Sequence, residues 1–182
     1  LLRACSPHID AVLWSHGHYD HFIGFGEFYR VQKVPPAYAA PPVMDYCSGY
    51  LHFLSFEKHP VPVYEPFDLF GITFTFFPVN HPPVYTCGLL LEHDNVTVAY
   101  TADTREDIPA ASRDLLRETD IDLLFVDAIA PAGYNITKHM NYAEAIRFAR
   151  DVGARDYRCV HMSHMVPPGM PHAGYDMETF CW

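Results

Sequence analysis

The chain has 182 residues and a formal net charge of −10, with lysine and arginine contributing 12 residues. This length suits one domain with a sizeable hydrophobic core, so we predict a single domain over residues 1–182. An acidic chain without a basic run binds long nucleic acids poorly, because phosphate neutralisation dominates that affinity. No apolar run approaches the roughly 20 residues that cross a membrane, so we predict a soluble protein without a membrane partner.

The cysteines indicate the redox compartment. They number five, contain no Cys-x-x-Cys pair and cannot all pair internally. This usage favours a reducing, cytoplasmic compartment and argues against a cysteine zinc site. The 12 histidines are the unusual feature of the composition.

The first third of the chain predicts strands and short helices that prolines interrupt. Residues 1–7 are typical of a helix end or connector, and the apolar run 9–14 predicts a buried strand. A helix over 20–29 and a strand over 34–39 follow. The segment 41–65 is rich in Pro, Tyr and Phe. We predict a helix near 44–53 and an irregular cover there, which either lines a pocket or is an ordinary packed excursion.

The remaining chain alternates between strands and helices. The predicted elements are a strand at 72–77, a hairpin of 87–92 with 96–101, a helix at 112–118, a strand at 122–128 and a strand at 157–160. Asn141 is a good N-cap with Glu144 three residues later, so we predict that a helix begins there. This helix ends at Gly153, a residue type that suits a helix C-terminus. Strands and helices mixed throughout predict an α/β or α+β class.

Residues 15–21 read Ser-His-Gly-His-Tyr-Asp-His and directly follow the first predicted strand. Imidazole and carboxylate together suit borderline cations such as zinc, manganese or iron. His16 and His18 can share one face of an extended segment, and Asp20 and His21 can serve a second position once a helix begins. A terminal tag would be uniform and would lack the preceding strand. The spacing therefore predicts two neighbouring metal ions.

Further ligand types recur at predicted strand ends. His81, Asp103 and His161 each lie just past a predicted strand, as His16 does. Each has a simpler interpretation alone: a turn residue, a surface acid and a core histidine, respectively. Side chains at strand ends on one sheet edge converge, so four such positions favour a common metal site.

The motif from His16 to His21 resembles the HxHxDH signature of the metallo-β-lactamase superfamily. The downstream order of a lone histidine, an aspartate after a strand and a last histidine matches as well. The resemblance implies an αββα sandwich with two divalent metal ions, Zn or Mn, with Fe also acceptable. It implies that the first ion is held by His16, His18 and His81, that the second is held by Asp20, His21 and His161, and that Asp103 bridges both.

His139, in Lys138-His139-Met140-Asn141, resembles the extra histidine of transfer-RNA 3′-processing nucleases and phosphoribosyl cyclic phosphodiesterases. The chain end, from His161-Met162-Ser163-His164 to Glu178, is most similar to the cyclic phosphodiesterases. The resemblance implies a catalytic His139, the alternative being a helix-entry residue bonded locally. His164 is either a substrate contact or a supporting residue.

The N-terminus departs from the family pattern. Family members begin with a hairpin of strands, whereas this sequence has 15 residues before His16. We therefore expect the first N-terminal strands of the fold to be absent. A sheet edge left unpaired in this way favours a homodimer.

We predict a metal-dependent hydrolase, most specifically a phosphodiesterase that acts on a small or cyclic phosphodiester with a hydroxide held by two metal ions. Asp20 is expected to ligate one ion and orient the hydroxide, and His139 to protonate the leaving group. A thioester, lactone or other carbonyl hydrolase of the same fold is the alternative. A transfer-RNA nuclease and a non-catalytic module are the remaining interpretations.

Overall fold

The computed structural model describes residues 8–182, and the chain divides into two compact units, Leu1–Pro62 and Val63–Trp182. The connector predicted for residues 1–7, together with Cys5, lies outside the described residues. The single domain over residues 1–182 stays a prediction. None of the helices in the described range is both long and apolar enough to cross a membrane.

The first unit contains a three-stranded parallel sheet in the order β1-β2-β3. Its elements are β1 (Val12–Trp14), α1 (Tyr19–Phe22), a 3₁₀ helix (Ile23–Arg30), β2 (Ala37–Ala39), α2 (Pro41–Tyr50) and β3 (Lys58–Pro60). Trp14 is buried and its ring meets those of Phe25 and Phe56 edge-on, with centroids at 4.9 and 5.7 Å. These aromatic contacts fix the end of β1, the point from which the histidine motif departs.

The second unit contains a six-stranded mixed sheet in the order β4-β5-β6-β7-β8-β9. Its elements are β4 (Phe67–Leu69), β5 (Ile72–Val79), β6 (Thr86–His93), β7 (Val96–Tyr100), α3 (Ala110–Glu118), β8 (Leu123–Asp127), α4 (Tyr142–Asp151) and β9 (Asp156–Val160). Neighbouring strands run antiparallel from β4 to β7 and parallel from β7 to β9. Parallel strands end at the same edge, which places the residues after β7, β8 and β9 near one another.

The core of the second unit lies between its sheet and its helices. Helix α4 packs on β8 and β9, and α3 packs on β5. Phe77, Leu124 and Phe148 are fully buried members of this core. Large apolar side chains from the strands and helices therefore pack together and hold the sheet rigid. The residues at the ends of its strands are attached to this rigid sheet.

The mixed α/β class and most predicted elements are confirmed. The boundaries or the helix type differ from the prediction at segments that contain proline or glycine. The predicted strand 34–39 is confined to β2, because Pro35 and Pro36 have no N–H for a ladder. Helix α2 begins at Pro41 instead of residue 44, since proline fits the first helical turn. The predicted helix 20–29 is one α-turn followed by a 3₁₀ helix that contains Gly24 and Gly26.

One short strand was not predicted, and another is shorter than predicted. β3 (Lys58–Pro60) lies in the segment predicted to be irregular, and the predicted strand 9–14 is confined to β1. β3 holds three residues whose pairing partner, β2, comes from a distant part of the chain. A pattern of alternating side chains needs a longer run than this to be visible.

Candidate metal centre

The histidine motif brings four side chains together within the first unit. His16 is fully buried, and its Nε2 lies 3.1 Å from Nδ1 of His18. The rings of His16 and His21 have centroids 4.2 Å apart, and Nε2 of His21 lies 3.3 Å from Oδ2 of Asp20. The predicted His16, His18, Asp20 and His21 thus form one cluster between the end of β1 and the first turn of α1.

Gly17 makes the tight path of this motif possible. A Cβ atom on Gly17 would lie 2.2 Å from Cδ1 of Tyr46, a residue of α2. The Tyr46 ring therefore packs directly against the backbone between His16 and His18. Only glycine allows this close approach without movement of the ring.

Strand ends of the second unit supply the next cluster. His81 follows β5, Asp103 follows β7, and His161 follows β9. Nε2 of His81 lies 3.8 Å from Oδ2 of Asp103, and Nδ1 of His161 lies 3.5 Å from the other carboxylate oxygen of Asp103. The predicted strand-end convergence therefore holds for His81, Asp103 and His161.

The backbone turns sharply at two of these strand ends. Ala102, next to Asp103, has φ 53°, and His161 itself has φ 58°. Both values lie in the left-handed region, which non-glycine residues adopt at a cost of roughly 1–3 kcal/mol. Such conformations at Ala102 and His161 turn the chain away from its strand direction where the side chains meet.

Asp127 is a site residue that the sequence reasoning missed. It is the last residue of β8 and is fully buried. Its Oδ2 accepts a hydrogen bond from the backbone N–H of Thr104 at 2.9 Å, and its Oδ1 lies 3.2 Å from Nδ1 of His161. The signal was available: Asp127 is an acid at the end of a buried strand, as Asp103 is an acid just past one.

Asp127 also holds His139, which lies in the loop between β8 and α4. Nδ1 of His139 lies 2.8 Å from Oδ2 of Asp127. With Nδ1 committed to a carboxylate, Nε2 is the ring nitrogen of His139 that can bind a proton or a ligand. The His139 ring has its centroid 4.7 Å from that of His81 and 5.1 Å from that of His161.

A backbone carbonyl orients His81 in a similar way. The carbonyl oxygen of Lys138 lies 3.0 Å from Nδ1 of His81 and accepts its hydrogen bond when that nitrogen is protonated. Histidines that bind metal through one ring nitrogen usually donate the other N–H to a carbonyl or carboxylate. His81 has this arrangement, with Nε2 on the side of Asp103.

The donor set of the second unit fits a divalent ion. One ligand atom from each of Asp103, Asp127, His139 and His161 lies within 4.8 Å of the others. Asp103 and Asp127 are both buried, and burial of carboxylates is unfavourable unless positive charge compensates them. Imidazole and carboxylate ligands of this kind suit zinc, manganese or iron.

The remaining predicted residue, His164, is exposed in the turn that follows β9. Its predicted role as a substrate contact stays a prediction. His139 is placed among the ligand residues of the second unit, so local bonding to its own helix does not account for it.

Comparisons with known proteins identify the family and the fold. The family model described as the β-lactamase superfamily domain matches residues 2–162. The metallo-β-lactamase fold protein YhfI from Bacillus subtilis is 27% identical, with a TM-score of 0.73 over 87% of this chain and 66% of its own. A diphosphatase from the PhnP family is 26% identical, with a TM-score of 0.73 over 92% of this chain and 69% of its own.

A third solved structure, the short form of human tRNase Z, shares the fold at 16% identity, with a TM-score of 0.66 over 87% of this chain and 74% of its own. The comparison with curated proteins found no match. The chain thus spans about two thirds of the length of its first two structural neighbours, 66% and 69%. With its family model matched over residues 2–162, the chain belongs to the β-lactamase superfamily and has the metallo-β-lactamase fold.

Proposed function

We propose that this chain carries the active site of a metal-dependent phosphodiesterase that hydrolyses a small or cyclic phosphodiester. The observation that carries the proposal is His139, a histidine beside the ligand residues that Asp127 fixes through Nδ1 at 2.8 Å. Metal ions alone can activate water for attack on either a carbonyl or a phosphate substrate. A fixed imidazole beside them can also protonate an alkoxide, which is a poor leaving group without a proton. The similarity to a diphosphatase, at 26% identity, also supports phosphate chemistry.

The metal ligands in this proposal are the ones that the family motif assigns. Family membership supports the set His16, His18, Asp20, His21, His81, Asp103 and His161. Two divalent ions in such a set would lower the pKa of water and neutralise phosphate oxygens. In this proposal Asp20 is a ligand that also orients the attacking water.

His139 acts as the general acid. Asp127 holds the imidazole in one orientation, because its buried carboxylate accepts a hydrogen bond from Nδ1 of His139. When the bond between phosphorus and the leaving oxygen breaks, the proton on Nε2 passes to that oxygen. His139 then returns to its starting state by taking a proton from water.

The proposal is tested by a substrate screen with protein reconstituted with Mn²⁺ or Zn²⁺. The substrates are bis-p-nitrophenyl phosphate, a cyclic ribose phosphate, a lactone and a thioester. We expect hydrolysis of the phosphodiesters and weak or no turnover of the two carbonyl compounds. Hydrolysis of the carbonyl compounds alone would contradict the proposal and favour the carbonyl-hydrolase alternative.

Replacing His139 separates proton donation from metal binding. We expect His139→Ala to lower kcat by roughly 10²–10⁴-fold, since it removes a general acid. In this proposal His139 is not a ligand, although one of its ring nitrogens lies within 4.8 Å of donor atoms of Asp103, Asp127 and His161. Metal content, measured by elemental analysis, should therefore stay at the wild-type value. His52→Ala, at an exposed histidine of the first unit, is the control and should change neither quantity. Loss of metal from His139→Ala would make His139 a ligand instead of a proton donor.

A further inference from the structure

A cavity opens beside His139 within the second unit. Its volume is about 400 Å³, and three segments form its wall: the loop 105–107 after β7, residues 135–137 and His139 of the loop before α4, and Glu144 in the first turn of α4. This volume lies within the range of small-molecule sites, which is roughly 300–1,000 Å³. The cavity therefore borders the residue that the proposed function makes the proton donor.

The charges of the cavity wall are partly paired. Nε of Arg105 lies 2.9 Å from Oδ1 of Asp107, so the cation of the wall is neutralised by its own neighbour. Glu106 is paired with Arg147 of α4, whose Nε donates to Oε1 at 2.7 Å. Among the residues that line the cavity, Arg105 is the one arginine or lysine, and it is already paired with Asp107.

Glu144 contributes further negative charge. Its Oε2 accepts the backbone N–H of Asn141 at 2.9 Å, which completes the capping box of α4. Within residues 8–182, Oε1 of Glu144 has no hydrogen-bond or ion-pair partner. Asn135 and Thr137 add an amide and a hydroxyl, groups that both donate and accept.

We propose that this cavity receives the leaving alcohol of the phosphodiester and selects a neutral alcohol with several hydroxyl groups, of the glycerol or sugar type. The inference rests on the proposed function. The carboxylates of the wall only accept hydrogen bonds, whereas its amide and hydroxyl groups both donate and accept them. The hydroxyl groups of an alcohol can donate and accept hydrogen bonds, so they match all three kinds of group. A second phosphate on the alcohol would meet the carboxylate of Glu144, which forms no ion pair within residues 8–182, and be repelled.

The position of the cavity connects selection to the chemical step. The attacking oxygen of water forms a bond to phosphorus while the bond to the alcohol oxygen breaks with its electron pair. The proton of His139 passes to that oxygen, and the free alcohol remains in the cavity until release. An alcohol held by Glu144 and Thr137 has its leaving oxygen on the side of His139, which lines the same cavity.

Three methyl phosphodiesters test this selection with the metal-reconstituted protein. Their second ester groups are glyceryl, propyl, and glyceryl that carries another phosphate on its far hydroxyl. We expect kcat/KM to be at least 10-fold higher for the glyceryl diester than for either other compound, about 1.4 kcal/mol. Equal values for all three, or a preference for the phosphorylated compound, would overturn the inference.

A matched pair of variants assigns the effect to the wall. Glu144→Gln keeps the capping box, since glutamine also serves at that position, but removes the charge. We expect it to raise kcat/KM for the phosphorylated compound several-fold and to lower that for the glyceryl diester. Glu118→Gln, at an exposed position of α3, should leave both values unchanged. An identical response of the two variants would overturn the inference.

A binding measurement on the metal-free protein separates this inference from the proposed function. We expect glycerol to shift the His139 ring resonances in NMR spectra, and glycerol 3-phosphate at the same concentration to shift them less. Glu144→Gln should reduce that difference. Absence of phosphodiester hydrolysis with these shifts present would refute only the proposed function. Turnover of bis-p-nitrophenyl phosphate without any such shift would refute only the cavity's role.

Discussion

Gly17 shows how one residue governs the path of the metal motif. The ring of Tyr46 occupies the space that any side chain at position 17 would need. Tyr46 is itself exposed, so its ring can move when something displaces it. The methyl group of an alanine at position 17 would therefore displace the Tyr46 ring and remove this contact.

We predict that Gly17→Ala lowers the free energy of unfolding by about 1 kcal/mol, because the added Cβ displaces the exposed Tyr46 ring from its contact with Gly17. Urea denaturation measures this change. Gly24→Ala is the control and should be nearly neutral, since no atom lies within 4 Å of a Cβ at Gly24. In a Tyr46→Ala background, Gly17→Ala should have little further effect. A full effect of Gly17→Ala in that background would contradict this explanation.

Helix α4 depends on its first turn. The side chain of Asn141 accepts from the N–H groups of Ala143 and Glu144 at 3.0 and 3.1 Å, and its amide donates to the carbonyl of Tyr134 at 2.9 Å. These bonds join the loop that carries His139 to the start of the helix. The cap therefore stabilises both the helix and the wall of the cavity.

Removing this cap should weaken the second unit measurably. We predict that Asn141→Ala lowers the free energy of unfolding by about 1 kcal/mol, with 2 kcal/mol as the upper range for such caps. Asn141→Asp keeps an acceptor for the same N–H groups and should lose less than half as much. Equal losses in the two variants, measured in parallel denaturation curves, would show that the cap is not the cause.

Elements with local signals were predictable from the sequence. The cap of α4 is visible as Asn141 and Glu144, and the hairpin of β6 and β7 as two apolar runs around 93–95. β3 was not predictable, because its three residues pair only with a strand far away in sequence. The 3₁₀ helix after α1 was mistaken for α-helix, because both forms place apolar residues at similar intervals.

Of the four cysteines within residues 8–182, Cys47, Cys87 and Cys159 behave as buried apolar residues. Burial raises the pKa of the Cys47 and Cys87 thiols to about 12 and that of Cys159 to about 11. Cys181 is exposed. Because only the thiolate reacts, the three buried thiols stay unreactive near neutral pH in the folded chain.

We predict one reactive thiol in the folded Cys5→Ser variant, and four after unfolding, from the free cysteines Cys47, Cys87, Cys159 and Cys181. Labelling with a disulfide reagent at pH 8, with and without denaturant, counts them. The Cys5→Ser/Cys181→Ser double variant should react only when unfolded. Rapid labelling of a second thiol in the folded variant would contradict the burial described here.

The site was more predictable than the boundaries of its elements. His16, His81, Asp103 and His161 are polar residues placed just after apolar runs, which is a visible pattern. Asp127 was missed because it is the last residue of the strand itself. A single acid within an apolar run does not by itself indicate a functional site. The contact of Asp127 with His139 depends on a loop whose path no local pattern specifies.

The count of bound metal ions shows whether the chain holds a two-metal site. We predict about two divalent ions per chain after reconstitution with Mn²⁺ or Zn²⁺ and removal of free metal, measured by elemental analysis. Asp103→Asn should lose at least one ion, because Asp103 is the proposed bridge between them. Asp94→Asn, at an exposed acid in the turn after β6, should keep both. A wild-type chain that binds no ion, or an Asp103→Asn variant that keeps both, would rule out a two-metal site bridged by Asp103.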